Sequence, residues 1–220
     1  EREKKGTDRR IREAGLPVHK TLDSFDFAAM PGVNKKLVLE LSRCEYIGKR
    51  ENVLLVGNSG TGKTHLAIAL ALAACRAGCR VSFFTTAGLI TRLLEARDDK
   101  MLLRLRTQLS RKQLVIVDEF GYVPFSKIGA ELLFEFFSER YERGSVVVTT
   151  NLPFEQWTEV LGSERLTGAL LDRLTHRVHI LEMNGESYRF KESARRHGTK
   201  VRPTSDGSDI EPNTQDQNES

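Results

Sequence analysis

Five short runs of apolar residues recur along the chain, and the apolar positions between them return at helical spacing. The runs are ENVLLVG (51–57), RVSFFTT (80–86), QLVIVDEF (113–120), SVVVTTN (145–151) and RVHILEM (177–183). They are unbroken rather than alternating, as expected of strands buried on both faces of a parallel sheet. Helices are predicted over residues 62–77, stopped by Gly78, and over 88–111, 128–141 and 166–174. The third carries Leu132, Leu133, Phe136 and Phe137 on one side. A Pro-Gly turn and an amphipathic helix over 35–47 lead into the first strand. Strands alternating with helices predict an α/β fold with a five-stranded parallel sheet between helices.

The two ends break this rhythm. Residues 1–21 are charged, show no apolar face and read as a linker or the end of a missing element. Residues 22–198 make one folded domain, and 199–220 are rich in Ser, Asp, Asn, Gln and Pro and are expected to be disordered. The net charge of +4 hides an asymmetry. Leaving out residues 199–220 reduces 34 basic residues to 32 and 30 acidic ones to 25, so the body carries a surplus of seven. Such a surplus suits a polyanion and equally suits plain solubility. The three cysteines form no C-x-x-C pair, which argues for a reducing compartment. No apolar run approaches the ~18 residues of a membrane span. The expected location is cytoplasmic, with no membrane partner.

The first strand runs straight into Gly57-Asn58-Ser59-Gly60-Thr61-Gly62-Lys63-Thr64, and a helix follows. This is G-x-x-x-x-G-K-[ST] in the context it needs. Its glycines turn N–H groups toward phosphate oxygens, Lys63 reaches the β- and γ-phosphates, and Thr64 ligates Mg²⁺. The third strand ends on Asp118 and Glu119. Asp118 stands where a carboxylate holds Mg²⁺, and Glu119 can polarise an attacking water. N-K-x-D, which a GTPase would want, is missing, and no substrate lid of a small-molecule kinase is evident. The fourth strand ends on Asn151, which could orient the lytic water or simply begin an Asn-Leu-Pro turn. His176 and His179 lack the carboxylate or thiol companions of a zinc site.

The ordered set GNSGTGKT, LVIVDEF, VVVTTNLPFEQW and RLTGALLDRLTHR resembles the IstB-like transposition helpers, AAA+ ATPases related to DnaC helicase loaders and to DnaA. The likeness runs from Leu22 to His197. LDSFDF resembles the lead-in that packs near adenine, and SYRFKES the last shared element. The resemblance implies a P-loop NTPase AAA+ module; measured against it, the preceding helical domain is missing or truncated, and the short segment after the fifth strand leaves a reduced or absent helical lid. It also implies ATP and Mg²⁺, a homo-oligomer built through ATP interfaces, duplex DNA and a cognate transposase. It makes Asn151 sensor 1, Arg173 a finger reaching a neighbour's γ-phosphate, and Arg189 sensor 2. Phe25 and His65 join the P-loop residues in the nucleotide-binding set. A helicase loader of the same fold is the runner-up, followed by a small-molecule P-loop kinase and by a nucleotide-dependent scaffold without useful hydrolysis.

The segment 88–113 is the DNA candidate. It carries Arg92, Arg97, Lys100, Arg104, Arg106, Arg111 and Lys112 against Glu95, Asp98 and Asp99. Leu102, Leu105 and Leu109 form a packing stripe, which leaves Lys100, Arg104 and Arg111 to face outward. Outward cations bind phosphates without reading sequence. An ordinary solvated face is the plain alternative, and the resemblance tips the balance toward DNA.

Overall fold

The five apolar runs are five strands of one parallel sheet in this computed structural model, which describes residues 2–190 and 193. They are β1 (Asn52–Val56), β2 (Val81–Thr85), β3 (Leu114–Phe120), β4 (Ser145–Thr150) and β5 (Val178–Glu182), in the spatial order β2-β3-β4-β1-β5. Between and around them run α1 (Arg2–Ala14), α2 (Lys35–Leu41), α3 (Glu45–Gly48), α4 (Lys63–Arg76), α5 (Thr86–Asp98), α6 (Leu102–Ser110), α7 (Lys127–Arg140), α8 (Trp157–Leu161) and α9 (Glu164–Thr175). Among the described residues no helix is long and apolar enough to cross a membrane. The expectations for 199–220 and for Lys191 and Glu192 of SYRFKES lie outside the described residues.

Successive strand residues feed two separate cores, which is why the runs show no polar alternation. Val53 and Leu55 of β1 and Leu114 and Ile116 of β3 face a cluster with α1, α2 and α4. Leu54, Val115 and Val117 face the other, with α5, α6, α7 and α9. Every methylene so buried contributes roughly 0.8 kcal/mol.

Four local departures have physical causes. The charged N-terminal stretch is a helix rather than a linker. Ile11 and Ala14 pack it against the α4 side of the core, and the Arg10 guanidinium donates to the Cys75 carbonyl over 2.8 Å. The expected 88–111 helix is two helices. At the end of α5, Lys100 takes a left-handed φ of 60° and donates to the Arg97 carbonyl, while Met101 donates to that of Ala96. These paired bonds form a Schellman stop, with Lys at the position Gly usually fills. The 35–47 helix breaks likewise at Cys44, with φ 64°. The segment Phe154–Leu161, absent from the sequence reading, is a 3₁₀ turn and α8, which drive Trp157 to full burial against Phe120.

At the amino end of the sheet, Arg140 of α7 is 5% exposed. Its guanidinium donates to the carbonyls of Leu109, Lys112, Gln113 and Ser145 at 3.0–3.3 Å. Burial pulls its pKa down to about 10. The opposite, carboxyl end carries the motifs.

Candidate nucleotide site

β1 stops between β4 and β5, and its loop takes the N-terminus of α4 to the carboxyl edge of the sheet. That edge is where open α/β sheets receive ligands. Gly57 N–H donates to the Thr150 carbonyl over 3.2 Å, which moors the loop to β4. Gly60 and Gly62 have left-handed φ of 80° and 89°. A Cβ on Gly60 would meet Ser187 Oγ at 2.1 Å, and one on Gly62 would meet the Phe25 ring at 2.7 Å. Both positions therefore need glycine for conformation and for space. Thr61, fully buried, donates to the Asn58 carbonyl over 2.8 Å and closes the turn, while Asn58 and Ser59 stay exposed.

Lys63 points its ammonium at the Gly57 and Asn58 carbonyls, 2.7 and 2.6 Å away. Burial depresses its pKa, Asp118 opposes that shift, and Arg189 adds to it. Tyr188 N–H, one residue earlier, donates to the Gly60 carbonyl over 3.0 Å. Arg189 itself is exposed.

Asp118 is 3% exposed. Thr64 Oγ1 lies 3.0 Å from both of its carboxylate oxygens. A hydroxyl and a carboxylate converging at a phosphate loop form the hard oxygen set that Mg²⁺ prefers, with phosphates and water completing it. Thr64 and Asp118 fit that ion. Glu119 is the one exposed residue of β3, set outward by a left-handed φ of 59°. Asn151 is exposed and directly follows Thr150, whose carbonyl holds Gly57. The Asn-Leu-Pro turn is also present, with Leu152 N–H bonded to Thr150 Oγ1 at 3.0 Å.

Phe25 is nearly buried and meets the His65 ring edge-on at 5.2 Å. His65 Nε2 lies 2.9 Å from the Thr21 carbonyl and 3.2 Å from Ser24 Oγ. Burial lowers its pKa, against the pull of the Thr21 carbonyl. The lead-in thus forms a wall beside α4. Arg173 stands apart from this set. Its guanidinium lies over the Phe134 ring at 4.8 Å and donates to the Ala169 carbonyl of its own helix. Sequence reading missed Thr86 and Thr149, which hold Asp118 from β2's end and from β4. Their only signal was a threonine at each strand end.

The seven cations proposed for DNA divide into groups. Arg97 pairs with Asp98, and Arg106 with Glu135 and Glu139. Lys100, Arg104 and Arg111 are exposed, as the leucine stripe requires. Arg92, Arg111 and Lys112 join Arg80 around a cavity of about 360 Å³ beside the β2 edge, which also holds Glu13. Arg92 rests 5.7 Å above the Phe84 ring. His179 is 2.8 Å from Glu51, and His176 is 3.1 Å from Tyr141 Oη.

Together, the P-loop after a central strand, the carboxylates ending the next-but-one strand and the strand order define a nucleotide-binding module of the AAA+ class. Within that class the chain belongs to the family of IstB-like ATP-binding proteins, whose profile matches residues 1–196. It is 42% identical over 210 residues to the insertion sequence IS21 ATP-binding protein of Pseudomonas aeruginosa, covering 96% of this chain and 79% of that one. It is 36% identical to the IS5376 ATP-binding protein of Geobacillus stearothermophilus over 182 residues, 83% of this chain and 72% of that one. Among solved structures, AMPPCP-bound DnaA of Aquifex aeolicus matches with a TM-score of 0.62 at 20% identity, over 86% of this chain and 58% of that one. The DnaC helicase loader matches at 0.58 and 19%, over 80% and 99%. Both likenesses are of fold.

Proposed function

We propose that this protein is an ATP-hydrolysing transposition helper that oligomerises on duplex DNA and regulates a partner transposase. The observation that carries the hydrolytic part is the Thr64 hydroxyl on the buried Asp118 carboxylate, with Lys63 beside Thr64 and the exposed Glu119 next after Asp118. The insertion-sequence relatives, named as ATP-binding proteins, support the setting.

In this reading the α4 N-terminus and the loop amides receive the phosphates, and Lys63 exchanges its two carbonyls for phosphate oxygens. Thr64 and Asp118 would hold Mg²⁺, which would supply positive charge against the phosphates. Glu119 takes a proton from water as that oxygen bonds to the γ-phosphorus. The bond to the β–γ bridging oxygen breaks, and ADP departs with the electron pair. Asn151 orients the water, and Arg189 steadies the phosphates of its own subunit. Arg173 serves the site of a neighbouring copy, and to reach it gives up the Ala169 carbonyl and the Phe134 ring.

DNA lies against the cations that form no ion pair among the described residues, Arg111 and Lys112 among them. Binding is expected to fall steeply with salt and to ignore sequence. Replacing Arg111 and Lys112 by Ala should lower the slope of log K against log salt by about 1.8, at ~0.9 per lost phosphate contact. Arg97→Ala, already paired with Asp98, should leave the slope nearly unchanged. Fluorescence anisotropy with duplexes of unrelated sequence, alongside phosphate release, measures both. A slope untouched by the double exchange removes this surface from the proposal. Preference for single strands replaces the helper by a helicase loader, and phosphate arriving on an added small molecule replaces it by a kinase.

A further inference from the structure

Thr149 is assigned no role by motif or by likeness, yet its hydroxyl touches both carboxylate residues of β3. It is 1% exposed. Its Oγ1 donates to Asp118 Oδ1 over 2.5 Å and accepts the Glu119 N–H over 3.0 Å. We propose that Thr149 is a positioning residue for ATP hydrolysis, setting Asp118 and Glu119 relative to one another. The inference rests on the hydrolytic reading above.

The geometry explains why one hydroxyl is needed there. Along β3 and β4 the register runs Val117↔Val148 and then Phe120↔Thr150, so Asp118 and Glu119 together face the single residue Thr149. This is a β-bulge, and bulges re-aim side chains next to functional sites. The extra residue turns Glu119 outward at a φ of 59°, while Asp118 stays buried. A bulge leaves a backbone amide without its ladder carbonyl, and here that amide is Glu119's. Thr149 Oγ1 supplies the missing acceptor and spends its own proton on Asp118. The Asp118 carbonyl takes the Thr86 hydroxyl over 2.9 Å, so the backbone around the bulge is held from β4 and from the first residue of α5. Thr64 is the other donor to the Asp118 carboxylate. When Thr64 turns to the metal, Thr149 remains to fix the carboxylate's rotation. A threonine two residues before Asn151 therefore connects the strand of the lytic water to both acids.

Thr149→Val keeps shape and β-branching and removes the hydroxyl. ATP turnover should fall about 10- to 100-fold, while ATP affinity, read with a fluorescent analogue, stays within about threefold. Thr149→Ser restores the hydroxyl and should restore turnover to within about threefold of the parent. That separation of turnover from binding, with rescue by Ser, is not what loss of a packing contact produces. Melting temperature accompanies each variant. If the Val protein does not fold, Thr149→Ala is read against Thr149→Ser in the same way. Turnover in the Val protein equal to the parent's overturns the assignment. So does equal impairment of Val and Ser, which would make the methyl group decisive. A parent that binds ATP and never hydrolyses it overturns the hydrolytic reading and this assignment with it, whereas an active parent beside an equally active Val variant overturns this assignment alone.

Discussion

Glu119→Gln should yield a protein that holds ATP and fails to consume it. The amide keeps the shape of the side chain and removes its ability to accept a proton. Loss of a positioned base costs roughly 10²- to 10⁴-fold in rate. Binding should survive because Glu119 is exposed and shares no hydrogen bond with the Lys63 and Thr64 side chains; its amide rests on Thr149. The backbone at this position is unusual, and Gln adopts the same left-handed φ at no greater strain than Glu. Steady-state phosphate release and a filter-binding measurement of retained ATP check the two halves separately. Turnover at the parent's rate would mean that another residue activates the water.

Lys63→Ala fails one step earlier. A charge-assisted hydrogen bond contributes roughly 1.5–3 kcal/mol, so affinity for ATP should drop by about one to two orders of magnitude. The folded protein should persist, because the ammonium bonds two carbonyls of its own loop and joins no other element. Titration of a fluorescent ATP analogue decides the matter, and unchanged affinity would dismiss the cradle. The variant also probes Arg173, whose guanidinium lies away from its own cradle on Phe134. Arg173→Ala should bind ATP normally and hydrolyse it poorly. Mixed on DNA with Lys63→Ala, it should regain part of the lost turnover, since some interfaces then join an intact cradle to an intact finger. A co-assembled mixture that stays inactive removes the trans role.

Much of this was legible because the strands are buried on both sides. Val53, Leu54 and Leu55 feed different cores in turn, so the run reads as unbroken apolar sequence. The cradle was legible because its glycines, lysine and threonine occupy consecutive positions. The helix at Arg2–Ala14 was not, since Ile11 and Ala14 are a thin apolar signal in a field of charge. Nor was the stop after α5, where Lys100 stands in a place that normally announces itself as glycine. Thr149 hid behind β-propensity: a threonine in a strand needs no explanation until its hydroxyl is seen between two acids. Ion pairs between helices were invisible too, so Arg106 stood among the DNA candidates until Glu135 and Glu139 came beside it.

Arg140 gives the molecule a mechanical property. One guanidinium rivets the last turn of α6, the approach to β3 and the first residue of β4 to a single point. From that point two strands run side by side to Asp118 and Thr149. Packed interiors compress little, and hydrogen-bonded strands slide only by breaking their register. The rivet thus fixes the amino ends of both strands to the end of α6, and the longer strand is the 7 residues of β3.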